Sequence, residues 1–262
     1  MLIKKPLSGN QLKLIAVVSM LIDHMGYLLV GKGLVVPLSA AGEPYAGWWM
    51  LYRVMRCLGR VAFPIYAFML VEGFVHTRNR RNYGLRLGLL ALLSEIPFDL
   101  FQRQTLWDWQ MQNVFVTLLL GLGMLQMLEW IPRSGLAARL SAQVSSMAGE
   151  FSMQLHLILQ LLVIGGFCGL AWLARCDYDY VGIMLIALLW WCRNNRSQQC
   201  ILGFLWMILA MSKLSYVPGY AAAFALLYCY SGKRGSWNGK WFFYLFYPVH
   251  QLVLYLVYRG AF

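Results

Sequence analysis

Charge is scarce in this chain, and acid is scarcest. Only 12% of its 262 residues are charged, with 10 Asp and Glu against 22 Lys and Arg, where a soluble domain carries about 25%. A soluble protein of this length would still need a charged surface and clear polar loops, and neither is visible. The six cysteines (Cys57, Cys168, Cys176, Cys192, Cys200 and Cys229) show no metal-ligand spacing, so no metal site is expected. Lying mostly in or beside apolar runs, they read as small core residues and not as a disulfide framework. There is no basic stripe with interleaved stacking aromatics, so the net charge of +12 does not point to nucleic acid. No internal repeat and no pair of Gly/Pro-broken segments in matching halves is found, which counts against the commonest transporter designs. The first apolar run lacks a small-residue cleavage site and is followed by more runs, so no cleavable signal peptide is expected.

What the chain has in quantity is apolar sequence, 60% of all residues. Runs near the ~20 residues needed to cross a bilayer recur along its length, which predicts an all-α, polytopic transmembrane bundle. About nine segments can be drawn, with eight to ten possible: 11–31, 58–77, 84–102, 113–131, 153–174, 179–193, 199–213, 216–231 and 241–259. The sixth to eighth are short for a full crossing. The longer polar-leaning connections are 32–52 and 132–152, and no domain boundary stands out, so residues 1–262 are read as one domain. With the amino terminus in the cytoplasm, 14 Lys and Arg fall on the inner side and 5 on the outer. The other three, Arg53, Arg56 and Arg60, sit at the outer end of the second span. That bias follows the positive-inside rule and places the carboxyl terminus outside.

An ionisable group inside a span costs at least about 2.5–3.5 kcal/mol on insertion scales and is a functional candidate by default. Asp23 and His24 in "LIDHMG", Arg60, and Glu95 and Asp99 in "SEIPFDL" lie in the outer half of their spans. They form a candidate catalytic cluster, with Gln112, Asn113, Tyr247 and His250 as further pocket residues. Imidazole titrates near neutrality, and a carboxylate beside it can fix its tautomer. Asp23 is not assured of that role for His24, because neighbours on a helix diverge by about 100°. Asp99 pairing with Arg60, and snorkelling of Arg53 and Arg56, are the structural alternatives. Asp177 and Asp179 are expected to cap the sixth span. At the inner boundary Glu72, His76, Arg78, Arg81 and Arg86 form a strongly basic group, which reads either as an anion site or as topological anchoring.

The blocks "LIDHMG", "GRVAFPIYAFMLVEGFVHTRN", "SEIPFDL", "QNVFVTLLLGL" and "FYLFYPVHQLVLYL", in that order, resemble the TraX family of integral membrane proteins over nearly the whole chain. The family is associated with acetylation of the pilin amino terminus and is similar to the wider superfamily of transmembrane acyltransferases. That resemblance implies a catalytic histidine in the first span, matching His24. It also implies an arginine-rich stretch that meets acyl-CoA, matching Arg78 to Arg86. The superfamily's tight pair of arginines three apart is replaced here by a spread set. The implied activity is transfer of acetyl from cytoplasmic acetyl-CoA, at the bacterial inner membrane, to an extracytoplasmic or membrane-embedded acceptor such as a pilin amino terminus, with Glu72 and His76 beside the donor site. A glycan or lipid hydroxyl as acceptor, or a proton-coupled transporter, are the alternatives. Membrane lipids are the other expected partners.

Overall fold

The computed structural model describes residues 6–42, 46–135, 148–236 and 239–262. These residues form helices and no strand; the extended contacts among them are two isolated bridges, Leu7 with Tyr230 and Gln112 with Cys176. The helices are α1 (Gly9–Met25), α2 (Val36–Ala40), α3 (Ala46–Gly59), α4 (Ala62–His76), α5 (Arg80–Arg103), α6 (Val114–Ser134), α7 (Ala148–Leu173), α8 (Asp179–Trp191), α9 (Arg196–Met211), α10 (Val217–Tyr228) and α11 (Lys240–Ala261). Among the described residues five segments are long and apolar enough to cross a membrane: Gly9–Ala40, Ala46–His76, Val114–Ser134, Met153–Leu173 and Trp241–Ala261. Asp179–Trp191 and Leu214–Tyr228 are apolar but shorter. The protein is therefore a helical membrane protein, and the nine-span drawing is met in full length and apolarity by five segments.

The first connection departs from expectation. Residues 32–40, assigned to a polar-leaning link, continue the first helix through a π-helical stretch, Gly26–Val35, into α2. The result is a segment of 32 residues, about 48 Å long. Its glycines act as contact points and not as breakers. A Cβ at Gly26 would fall 2.7 Å from Met55 Cβ, and one at Gly33 2.6 Å from the Phe262 ring. Small residues let membrane helices approach this closely.

The helical passes alternate in direction, and the two ends can be told apart by their loops. At one end, Gly9 and Asn10 donate backbone hydrogen bonds to Lys233 and Arg234 after α10. At the other, Gln112 donates to the Arg175 carbonyl and accepts from Asp177 N–H, joining two loops. Phe262 lies against Gly33, about 36 Å along the first helix from Gly9. The α1 start and the carboxyl terminus are thus at opposite ends. The core is centred on α4, α6 and α8, with Phe68, Phe74, Met124, Leu125, Ile183, Leu185 and Ile186 almost wholly buried. Leu92, Leu89, Trp172 and Leu209 face outward, as a lipid-facing surface requires.

Reporters fused after Arg81 and after Phe262 should therefore lie on opposite sides of the membrane. Detection on the same side would mean that one of the short passes between 179 and 228 does not cross.

Candidate active site

Asp23 points towards the end of α3, where Arg56 and, just beyond that helix, Arg60 meet it. Arg56 Nη1 lies 2.6 Å from one carboxylate oxygen and Arg60 Nη2 2.8 Å from the other. Arg60 also donates through Nε to the Arg56 carbonyl and lies 4.8 Å over the Tyr216 ring. A carboxylate and two guanidiniums inside an apolar bundle hold one another because separation would leave uncompensated charge. The helix is interrupted at Arg60 and Val61, between α3 and α4, and the close approach there needs glycine: a Cβ at Gly59 would sit 2.1 Å from Asp23 Oδ1. Asp99 does not pair with Arg60, and Arg56 is not a snorkelling residue.

His24, about 100° further round α1, faces away from that cluster into a seam between α1, α5 and α11. Met20, Phe98 and Tyr247 pack as one apolar layer of the seam, and Leu28, Phe101 and Leu254 as another. His24 lies between them, 4.8 Å centroid to centroid from Phe101 and edge-on to Tyr247. Its Nδ1 is 2.6 Å from Nε2 of His250, and the Nδ1 of His250 is 2.6 Å from the Phe246 carbonyl oxygen. His250 is buried, whereas His24 keeps partial exposure. Asp23, the partner that sequence considered for His24, is taken by the arginines, and the structure brings His250, read only as a pocket residue, to His24 instead.

The remaining acids hold helices and loops together. Glu95 bonds the Asn113 amide through Oε2, while its buried Oε1 has no hydrogen-bond partner among the described residues. Asn113 also donates to the Ala91 carbonyl at 2.8 Å and caps α6 by accepting from Phe115 N–H. Asp99 accepts from the Asp108 backbone N–H at 2.8 Å, so it ties down the α5–α6 loop. Gln112 contributes through its backbone, as above. Asp177 does not cap α8, whose N-cap is Tyr178 without a side-chain bond. Burial instead pushes its loop carboxyl up to about 6, against the pull of Arg60. Gln251, fully buried beside Tyr247, leaves both amide atoms without a well-formed hydrogen bond.

At the basic end Glu72 meets a partner that local sequence does not offer, Arg196 at 3.9 Å on α9. Arg196 lies 4.5 Å over Phe68 as well. His76 Nδ1 donates to the Glu72 backbone carbonyl at 2.9 Å, not to its carboxylate. Arg80 is taken up by Glu129, which Arg133 also contacts at 2.7 Å. Arg78 and Arg81 are exposed, Arg86 is half-buried with an unpartnered Nε, and none of the three makes an ion pair among the described residues. The seam and the basic end thus sit at different levels of one bundle, as the order of motifs along the chain implied.

The family model described as TraX protein matches residues 8–258. The chain belongs to the TraX family. It is similar to the probable fimbrial assembly protein FimC, serogroup H1, of Dichelobacter nodosus. The two are 29% identical over 269 residues, covering 94% of this chain and 94% of that protein. No solved structure matches the chain. In this TraX protein, sequence reasoning missed Arg56, Arg196 and Gln251. Arg56 had a signal, since it stands four residues before Arg60 and shares its helix face. Gln251 had one too, as a polar residue inside an apolar run next to His250. Arg196 had none, being remote in sequence from Glu72.

Asp23→Ala should leave Arg56 and Arg60 uncompensated and cost about 3–5 kcal/mol of stability, read as a lower melting temperature in detergent. Gly59→Ala should act in the same direction by displacing the carboxylate. An Asp23→Ala protein that melts like wild type would show that the ion pair does not hold this helix junction.

Proposed function

We propose that this TraX protein is an acetyl-CoA-dependent acetyltransferase of the bacterial cytoplasmic membrane, with its amino terminus in the cytoplasm. Its acceptor is a pilin-like amino terminus presented on or within the membrane. The observation that carries the reading is His24: an imidazole set in an apolar seam, hydrogen-bonded at one ring nitrogen and still partly exposed. That arrangement suits a general base working where water is scarce. Membership of the TraX family and the fimbrial-assembly name of the Dichelobacter relative support a pilin-like acceptor.

Coenzyme A is a polyanion made in the cytoplasm, so its phosphates need guanidiniums at the inner boundary. Arg78, Arg81 and Arg86 have that location and no carboxylate of their own among the described residues. Arg80, being held by Glu129, is not available in the same way. From Arg86 to Phe101, which touches His24, α5 rises about 22 Å, the distance the thioester arm of the donor has to cover. His24 then takes a proton from the acceptor amine as its nitrogen attacks the thioester carbonyl. The C–S bond breaks, and the CoA thiolate leaves and is reprotonated. Developing charge on the carbonyl oxygen needs an N–H donor. Arg60 is engaged by Asp23 and the Arg56 carbonyl, whereas the buried Gln251 amide beside Tyr247 has no well-formed hydrogen bond and is the better assignment.

His24→Ala should lower acetyl transfer by at least ~10²-fold while acetyl-CoA binding stays near wild type. Near-normal transfer by that variant would remove His24 from the chemistry. Arg78→Ala and Arg86→Ala should each weaken acetyl-CoA binding by about tenfold, the value of one charge-assisted contact, measured by titration of purified protein. Binding unaffected by losing both would place the donor site elsewhere, with the 233–240 loop as the next location to test.

A further inference from the structure

The hydrogen bonds around His24 have only one consistent direction when both rings are neutral. The Phe246 carbonyl oxygen can only accept, so the Nδ1 of His250 that meets it at 2.6 Å carries the proton. His250 Nε2 is then bare and accepts. The Nδ1 of His24, 2.6 Å away, must be the donor, which leaves the Nε2 of His24 as the free lone pair. The rings are nearly coplanar, at 7°. Phe246 stacks on His250 at 4.7 Å, and Tyr247 stands edge-on to it at 5.9 Å. Phe101 lies against His24. The acid next door, Asp23, has both oxygens occupied by Arg56 and Arg60.

We infer that His250 is the positioning residue of this site, fixing His24 as the Nδ1–H tautomer so that its Nε2 alone serves as the base. The inference rests on the acetyltransferase reading for its consequence in catalysis, and on geometry alone for the tautomer. A neutral imidazole here does what a carboxylate does in a Ser-His-Asp triad, with one difference. It orients the base and accepts from it without adding negative charge to an apolar seam, where an unpaired carboxylate would be costly. When His24 gains a proton at Nε2, its Nδ1–H remains bonded to the bare nitrogen of His250. The pair therefore holds one extra proton across a single short hydrogen bond until the leaving thiolate is reprotonated.

Two substitutions separate positioning from packing. His250→Phe keeps a ring of similar size but has no acceptor, and His250→Gln places an amide oxygen where an acceptor is needed. Transfer by His250→Phe should fall about 10²-fold in kcat with the KM for acetyl-CoA unchanged, and His250→Gln should recover to within about tenfold of wild type. Equal losses in both variants, or a loss seen only in KM, would overturn the assignment. The second measurement needs no activity. In ¹⁵N-histidine spectra of wild-type protein in lipid at neutral pH, the two resonances lost in His24→Ala and His250→Gln should each report Nδ1–H and a bare Nε2. A proton on the Nε2 of His24 would refute the tautomer. Absence of acetyl transfer by wild-type protein to any acceptor would sink the enzyme reading, and the spectra would still decide the tautomer by themselves.

Discussion

The arrangement of the site depends on one ion cluster, Asp23 with Arg56 and Arg60. Burying a carboxylate and two guanidiniums costs several kcal/mol per ion unless each finds its partner. The three groups therefore have few places to go. Their contact fixes the rotation of α1 relative to α3, and Ser19 adds a hydrogen bond to the Leu58 carbonyl a turn away at 2.7 Å. Once Asp23 is turned to the arginines, the next residue must point about 100° further round the helix. The ion cluster thus aims His24 into the α1–α5–α11 seam without touching it.

The seam and the basic end divide two demands that no single environment meets. The proposed polyanionic donor would need exposed cations at a water boundary, and Arg78 and Arg81 are exposed at the basic end. On the proposed reading, an acyl transfer that excludes water needs an apolar setting for its base, and the layers of Met20, Phe98 and Tyr247 and of Leu28, Phe101 and Leu254 surround His24 with one. The bundle keeps these requirements apart by depth. Long helices such as α5 connect them, beginning among arginines and ending beside His24. Glu129 and Glu72 draw Arg80 and Arg196 into ion pairs at the basic end, so Arg78, Arg81 and Arg86 are the arginines the proposed donor site draws on.

Much of this was legible in the sequence because a membrane makes polar residues conspicuous. His24, Glu95, Asn113 and His250 stand out from apolar runs, and the structure places all four around the α5, α6 and α11 side of the bundle. Pairing was not legible. Glu72 lies next to His76 and the arginines at 78–86, yet meets Arg196, because helices far apart in the chain share that end of the bundle. Asp99 looked like a catalytic acid but bonds a loop amide, since depth in a span says nothing about which neighbour is within 3 Å. The stretch 32–40 reads in sequence as part of the polar-leaning connection 32–52, yet it continues the first helix, where Gly26, Gly31 and Gly33 come close to Met55, Tyr52 and Phe262.

The central claim is that acetyl passes from a donor site at one face of the membrane to an acceptor served from the other side of the bundle. The most direct measurement uses sealed proteoliposomes containing the purified protein in one orientation. Labelled acetyl-CoA is supplied only on the face carrying Arg78 to Arg86, and an impermeant peptide with a free amino terminus only on the opposite face. The account predicts labelled acetyl on the peptide while intact CoA stays on its own side. Acetylation only when donor and peptide share one compartment would contradict it.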